Sequence, residues 1–373
     1  MYSKRFLQDD RIYAQISSLD TENGLDEYNV MFHVVDSTAP FDRQLVDINN
    51  ALHEFLSSVD NSVLAFRRYF ISDAANQQSA VADSAAKYNT SAISIVQQPP
   101  LDGTKVALWA MIVVNAKSYE DNGLFVVEKS GYKHFWIANQ TIPGGDSFRQ
   151  TDVLMRSYAD CLEKHGLRMQ DDCIRTWFFV QNVDVNYQGV VDARRELFYD
   201  YNLNKDTHYI TSTGIDGRDA DKNSLVKFDA YAVGGLKKEQ IQFLYAKDYL
   251  NPTYEYNVTF ERGVAVSYTD RKNIFLSGTA SIDNKGNVVY PGNIVEQTKR
   301  MLLNSDMLLK EAGSDIQRAS VMIVYLRDVA DYKIVSEMYE SRFPNVPRVF
   351  LLAPVCRPGW LIEMETISTI PCD

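Results

Sequence analysis

The chain has 373 residues, of which 45% are apolar and 23% charged, and its net charge is −11. These values are typical of a globular protein, and the length indicates two or three domains. Nucleic-acid binding needs a basic surface, and no cluster of Lys and Arg supplies one, so we expect no nucleic-acid partner.

Membrane insertion and metal binding are also not indicated by the sequence. No apolar run approaches the roughly 18–20 residues of a membrane span, and residues 1–10 have a basic pair but no apolar stretch after it, which favours the cytoplasm. The four cysteines form no CxxC pair and the five histidines no HExxH motif, so we predict reduced thiols and no metal. Walker A, GxGxxG and GxSxG motifs are absent as well, and we expect no cofactor.

The first third of the chain predicts strands alternating with two helices. Strands are predicted where β-branched and aromatic residues cluster, at 28–35, 63–73 and 105–114. A helix should precede the second strand, because apolar side chains recur there at helical spacing. Those side chains are Leu45, Ile48, Leu52, Phe55 and Leu56. A second helix is predicted at 76–87.

The same order of elements recurs twice further along the chain. The second copy has a hairpin at 124–141, a helix at 153–162, a strand at 174–184, a helix at 187–199 and a closing strand at 225–233. The third has a hairpin at 259–281, a helix at 294–309 with Gly313 at its C-cap, a strand at 319–328, a helix at 331–342 and a closing strand at 361–369.

Three repeats of one pattern predict an α+β fold made of three tandem β-β-α-β-α-β modules. Two helices on one face of a mixed sheet form a stable two-layer unit. Composition shifts near 115–122 and 234–252 place the modules at 1–116, 117–250 and 251–373.

The third module resembles the RidA (YjgF) superfamily, whose members are also labelled endoribonuclease L-PSP. The matching segments are the Ser-Gly turn within 275–281, the helix 297–313, the segment 335–343, Pro347-Arg348, and Glu363 within 362–365. The resemblance implies a chorismate-mutase-like fold. Since single-module members are homotrimers with sites at subunit clefts, it also implies that three fused modules form a monomeric pseudo-trimer. Whether that unit associates further is left open.

Two departures from the family pattern bear on activity. Phe260 stands where many imine deaminases have a tyrosine, and Ser336 replaces an asparagine. Chorismatases, which are fused RidA-like proteins, are similar to this chain at 175–177, 260–262, 277–282 and 356–363, and this similarity implies hydrolysis of chorismate to release pyruvate.

Arg348 and Glu363 are the predicted catalytic pair. A guanidinium matches a carboxylate through two parallel hydrogen bonds, so Arg348 would anchor the substrate. Glu363 lies in an apolar strand, and burial would raise its pKa and suit it to acid/base work. Aligning the copies gives Ala92 and His208 opposite Arg348, and Ala107 and Lys227 opposite Glu363, so the first two modules are expected to be degenerate. The alternatives are a surface salt bridge for Arg348 and a solvent-facing strand for Glu363.

Further substrate contacts are predicted near this pair. They are Ser277, Gly278, Cys356, Arg357, Phe260 and Arg175, with Arg175, Arg262 and Arg357 as candidates for a second carboxylate anchor. Cys356 is equally consistent with a buried structural thiol, and Gly278 with a plain tight turn.

The function predicted is hydrolysis of a small carboxylate metabolite that carries an enamine, imine or enol group. Chorismatase-like release of pyruvate is one alternative, and a non-catalytic metabolite-binding protein is the other.

Overall fold

The computed structural model describes residues 2–8, 10–21, 24–87, 90–256 and 258–372. These residues form three six-stranded sheets. Each sheet carries helices on one face and repeats the predicted order of elements, so the predicted α+β fold of three modules is confirmed. We propose 1–116, 117–250 and 251–373 as the limits of the first, second and third modules.

The first sheet has the strand order β1-β2-β3-β6-β4-β5. Its elements are β1 (Tyr2–Gln8), β2 (Ile12–Thr21), β3 (Gly24–Val34), α1 (Phe41–Ser57), β4 (Ser62–Ile71), α2 (Ala74–Ala85), β5 (Ala92–Gln97) and β6 (Val106–Val114). The parallel strand β5 was not among the predicted elements, because it is short and follows its helix closely.

The second sheet has the order β11-β10-β12-β9-β8-β7. Its elements are β7 (Lys117–Asp121), β8 (Leu124–Lys129), β9 (Tyr132–Thr141), α3 (Ser147–Glu163), α4 (Met169–Asp172), β10 (Cys173–Val180), α5 (Val183–Asp200), β11 (Thr211–Asp216) and β12 (Val226–Gly234). The Asp146 side chain accepts a hydrogen bond from the backbone N of Arg149 at 2.9 Å and so caps α3.

The third sheet has the order β13-β14-β15-β18-β16-β17. Its elements are β13 (Ile241–Leu244), β14 (Gly263–Ser267), β15 (Arg271–Ala280), α6 (Ile294–Glu311), β16 (Ala319–Leu326), α7 (Tyr332–Arg342), β17 (Arg348–Leu352) and β18 (Ile362–Pro371). Asn293 caps the start of α6, and Gly313, at φ +83°, follows its end as predicted.

Alternate residues of each sheet face different cores. In β6, Leu108 and Ala110 belong to the cluster beneath the helices of the first module. Their neighbours Trp109 and Met111 belong to a central cluster that also contains Trp177 and other residues from all three modules. Because side chains alternate along a strand, each sheet covers its own helices on one face and meets the other modules on the opposite face.

The edge strands β5, β11 and β17 each dock on the next module in a cycle. A side chain of the next module accepts a hydrogen bond from a backbone N–H on each strand. The pairs are Ile95 N to Asn139 Oδ1 at 3.3 Å, Ser212 N to Ser277 Oγ at 2.9 Å and Arg348 N to Gln15 Oε1 at 2.9 Å. This covering satisfies edges that would otherwise expose unpaired backbone groups, and it creates three equivalent clefts between modules.

The register corrects one part of the sequence alignment. Strands β4, β10 and β16 each have an irregularity in their pairing with the closing strand. When residues are counted from that irregularity, Met322 of β16 is equivalent to Thr176 of β10 and to Arg67 of β4. These three residues pair with Arg348, Ser212 and Ile93 respectively. The counterparts of Arg348 are therefore Ser212 and Ile93, because loops of different length precede the edge strands, whereas Ala92 and His208 were expected.

Candidate active site

A cavity of about 550 Å³ lies between the second and third modules. The second module contributes side chains from α5 and β11. The third contributes β15, β18 and the two segments 258–262 and 356–360. A cleft of this size between modules is typical of a small-molecule site.

Glu363 forms one wall of the cavity from strand β18. The residue is 4% exposed, and its carboxyl lies against the backbone of Gly278 on β15, where an added Cβ would overlap it. The pKa of Glu363 is raised to about 8, mainly by burial and also by the nearby charge of Glu365, while Arg175 and Arg262 act in the opposite direction. Glu363 is therefore a protonated acid at neutral pH, which suits it to donate a proton.

Four arginines line the same cavity: Arg194, Arg195, Arg262 and Arg357. Arg194 Nε donates to Thr259 Oγ1 at 3.2 Å, and Arg262 Nη2 donates to the backbone O of Asn251 at 3.1 Å. Arg195 Nη1 lies 3.2 Å from Asp192 Oδ1. With Glu363 neutral, the guanidinium groups give the cavity lining a net positive charge. Such a lining favours an anionic ligand, in particular one with carboxylate groups.

Aromatic rings give the cavity its apolar surface. The ring of Phe260 lies between Arg194, at 5.9 Å, and Arg262, at 5.6 Å. Arg357 lies 4.9 Å from the ring of Trp360. Tyr187 packs so closely on Gly214 that a Cβ there would approach its ring to 2.5 Å. A planar, unsaturated ligand would therefore find rings to pack on as well as charges.

The predicted residues in this cavity are Phe260, Arg262, Gly278, Cys356, Arg357 and Glu363. Burial raises the pKa of Cys356 to about 12, so its thiol is not a nucleophile at neutral pH. Ser277 lies behind the wall, where its hydroxyl donates to the backbone O of Glu261 at 2.5 Å. Its role is to hold β11 against β15.

The structure does not bring Arg348 to Glu363. Arg348 pairs with Met322 and Glu363 pairs with Tyr325 on the shared neighbour β16. Met322 and Tyr325 are an odd number of positions apart, so the two side chains point to opposite faces of the sheet, separated by roughly 10 Å along the strand. Arg348 Nη1 instead donates to the backbone O of Phe343 at 2.8 Å.

Arg175 also lies outside the cavity. The residue is 1% exposed, and its Nη2 is 2.6 Å from Glu365 Oε2. Its guanidinium is therefore engaged by a carboxylate of this chain. The same Nη2 also donates to the Thr213 hydroxyl, which accepts a hydrogen bond from the backbone N of Gly278 at the cavity wall.

The sequence reasoning missed the contribution of the second module. Among the lining residues that it did not select are Tyr187, Arg194, Arg195, Ser212 and Trp360. Four of them belong to a module that looked degenerate because it lacks the Arg/Glu pair. The adjacent basic pair Arg194-Arg195 on α5 was the available signal.

The equivalent cleft between the first and second modules is filled by Lys227, the counterpart of Glu363. Its Nζ donates to Ile95 O at 2.5 Å and to Asn139 Oδ1 at 2.8 Å, and it lies 2.6 Å from Asp219 Oδ2. Burial lowers the pKa of Lys227 while Asp219 opposes the shift. This cleft is thus built as an interface.

Neither a metal centre nor a membrane helix is evident in the described part of the chain. Within it, no group of three or more His, Cys, Asp and Glu residues is placed to hold a metal ion. Of the helices in the same ranges, none is both long and apolar enough to cross a membrane.

Comparison with known proteins relates the third module to one family and the whole chain to one fold. The endoribonuclease L-PSP family profile matches residues 262–370. A RutC family protein of Pyrococcus abyssi is 34% identical over 97 residues, which are 26% of this chain and 76% of that protein. A 2-iminobutanoate/2-iminopropanoate deaminase of Rattus norvegicus is 31% identical over 99 residues, 26% of this chain and 72% of that protein.

The crystal structure of a chorismatase has the same fold over most of the chain. It superposes with a TM-score of 0.64 at 16% identity and covers 82% of this chain and 92% of its own. The likeness thus extends across all three sheets, while the two sequence relatives match 26% of this chain. On these grounds the chain belongs to the RutC, or endoribonuclease L-PSP, family within the RidA superfamily.

Proposed function

We propose that this protein hydrolyses a small, carboxylate-bearing enol ether or enamine, with Glu363 as the proton donor. The observation that carries the proposal is a buried carboxyl with a pKa of about 8 in a cavity lined by four arginines. A general acid works best when its pKa lies near the working pH. The guanidinium groups supply the complementary charge for substrate carboxylates.

An enol ether with two carboxylates fits this charge balance best. Of the four arginines, Arg195 pairs with Asp192 at 3.2 Å. The other three face a carboxyl that is neutral in its acid form, so a dianion is better compensated than a monoanion. Chorismate is such a compound, with one carboxylate on its ring and one on its enolpyruvyl group. Its hydrolysis is also what the resemblance of 277–282 and 356–363 to chorismatases implies.

In the proposed reaction, Glu363 donates its proton to the methylene carbon of the enolpyruvyl double bond. The carbon that bears the ether oxygen becomes an oxocarbenium ion, water adds to it, and the adding water returns a proton to Glu363. The resulting hemiketal breaks its bond to the ring oxygen, which takes up the hydroxyl proton. Pyruvate and the ring alcohol leave, and together they contain the atoms of the substrate plus one water.

We propose Arg194, Arg262 and Arg357 as the carboxylate anchors. They line the cavity of Glu363 from α5, from the residue before β14 and from the loop before β18. Arg348, the anchor expected from the sequence, points to the other face of the sheet. The anchoring role therefore passes to residues of two modules.

Hydrolysis of an imino or enamino acid is the second candidate reaction. It is favoured by the deaminase names of two relatives, one 26% and one 31% identical over 99 residues. Water would add to the imine carbon, ammonia would leave, and Glu363 would transfer the proton. Phe260 and Ser336 depart from the deaminase pattern, so we place this reaction second.

The test is incubation of the purified protein with chorismate, followed by a coupled assay for pyruvate. A parallel assay follows ammonia release from freshly generated 2-iminopropanoate. We expect pyruvate, and we expect Glu363→Gln to lower kcat by about 100-fold or more. Glu261→Gln is the matched control, because Glu261 is buried, has its pKa raised by burial and lines a different cavity.

Two outcomes would contradict the proposal. If Glu261→Gln and Glu363→Gln lose activity equally, Glu363 is not the specific acid. If chorismate binds tightly and neither pyruvate nor ammonia forms, the protein is a metabolite-binding protein.

A further inference from the structure

A second buried carboxylate lies two residues from Glu363 on the same face of β18, outside the cavity. Glu365 Oε2 accepts hydrogen bonds from Arg175 Nη2 at 2.6 Å, Trp177 Nε1 at 2.8 Å and Thr213 Oγ1 at 2.8 Å. Its other oxygen accepts from the Tyr325 hydroxyl at 2.9 Å. The second module thus supplies three donors to this carboxylate, and the third module's own Tyr325 supplies the fourth. Together these hydrogen bonds hold the carboxylate in a single position.

The first module reaches the same carboxylate through Arg68. Arg68 Nη1 is 3.5 Å from Glu365 Oε1, and Arg68 Nη2 is 2.9 Å from Asp229 Oδ2. The guanidinium also lies 4.8 Å from the ring of Trp177. Arg68, Asp229 and Glu365 come from the first, second and third modules, so this cluster joins the three units.

A hydrogen-bond path connects the cluster to the wall of the cavity. The Thr213 hydroxyl that donates to Glu365 also accepts from the backbone N of Gly278 at 3.0 Å. Gly278 in turn lies against the carboxyl of Glu363. Movement of Glu365 or loss of the Thr213 hydroxyl would therefore displace the surface on which the Glu363 carboxyl rests.

Charge provides a second connection. The groups that act on Glu363 are Glu365 on β18, Arg175 on β10 and Arg262 before β14. The cavity side adds the remaining titratable or charged groups, which are Tyr187, Arg194, Arg195, Cys356 and Arg357. Among these, Glu365 is the anion, and an anion nearby favours the protonated form of a carboxyl.

We propose that Glu365 is a positioning residue, held by Arg175 and Thr213, that keeps the Glu363 carboxyl in place and in its acid form. The effect of Glu365 on catalysis rests on the proposed function, whereas its effect on the position and protonation of Glu363 does not. The inference also assigns Arg175 a role in tuning the acid instead of binding substrate. The first module, none of whose described residues lines the cavity, then contributes to the site through Arg68.

The decisive measurement is a pH titration of the Glu363 carboxyl stretch, followed by infrared spectroscopy. For each protein, the spectrum of the same protein carrying Glu363→Gln is subtracted, so that the remaining band belongs to Glu363 and its midpoint can be read. Glu365→Gln removes an anion, so we expect the Glu363 midpoint to fall by about one pH unit. Arg175→Met removes a cation, so we expect the midpoint to rise. A purely structural disturbance would not move the midpoint in opposite directions for these two changes.

Thr213→Val keeps the inference testable if the charge variants do not fold. We expect it to broaden the carboxyl band and to lower kcat about tenfold with KM unchanged. Thr151→Val is the matched control, because Thr151 is buried in α3 and its hydroxyl donates to Ser147 O at 2.8 Å. This control should change neither the band nor kcat.

The infrared readout needs no substrate, so the two ideas can fail separately. A shifted midpoint without turnover of any candidate substrate would support the positioning of Glu363 and overturn the proposed function. An unmoved midpoint in Glu365→Gln and Arg175→Met, or equal effects of Thr213→Val and Thr151→Val, would overturn the inference.

Discussion

Gly278 lies directly against the carboxyl group of Glu363, and no other residue type leaves room for that carboxyl. The contact crosses from β15 to β18, where the pairing register shifts between Leu276 and Thr279. The irregular pairing brings the glycine to the acid. The first prediction follows from this contact.

Gly278→Ala should lower activity by about 100-fold or more by pushing the Glu363 carboxyl out of place. The measurement is kcat/KM on the substrate found in the turnover assays. Gly131→Ala serves as the control, since an added Cβ there meets no atom within 4 Å although the backbone has φ +85°. That control should cost about 1 kcal/mol of stability and keep full activity. Retained activity in Gly278→Ala would show that the acid acts from another position.

Activity should decline as pH rises through about 8, because the acid form of Glu363 is the active one. A pH profile of kcat/KM between pH 6 and 10 checks this. A profile that rises over the same range would instead make Glu363 a general base.

The titration of Glu363 should also make the free energy of unfolding depend on pH, in a direction that can be predicted. The pKa of Glu363 in the folded protein, about 8, lies above the 4.5 of an ordinary glutamate. The folded protein keeps a proton that the unfolded chain releases, so the free energy of unfolding falls as pH rises from 4.5 to about 8. The stability gain of Glu363→Gln over the parent should therefore grow across this window in urea titrations. A constant difference would contradict the raised pKa.

The arginine assignment predicts different results at the two faces of the third sheet. Arg194→Met and Arg357→Met should each raise KM about 10- to 100-fold, the effect of losing a charged hydrogen bond to substrate of about 1.5–3 kcal/mol. Arg348→Met should lower stability and leave KM unchanged, because Arg348 binds the backbone at Phe343. The reverse result would restore Arg348 as the anchor.

Lys227→Met should destabilise the protein by about 3–5 kcal/mol, because it leaves Asp219 buried without its partner. Adding Asp219→Asn should recover much of that loss. Urea unfolding measures both, and turnover of the refolded protein should be unchanged. A loss of turnover with intact stability would indicate that the cleft between the first and second modules also takes part in function.

Much of the fold followed from local patterns in the sequence. The helices and central strands were predicted because their apolar residues repeat at 3.6 or 2 positions, as in α6 and β18. The threefold repeat followed from the recurrence of that order. Strands β5 and β11 were missed, since a short parallel edge strand has little periodicity of its own. The bulges that set the register of Arg348 also leave no clear mark in the sequence.

The sequence by itself determined those residues of the candidate site that lie close together in the chain or on paired strands of the third module. Glu363 stood out as an acid in an apolar strand, and Gly278, Cys356 and Arg357 followed from segments near it. Only the tertiary structure decided that Arg194 and Tyr187 of the second module complete the cavity while Arg348 points away from it. The physical reason is that strand alternation and module docking determine which face a side chain reaches, and both depend on pairings between residues far apart in the chain.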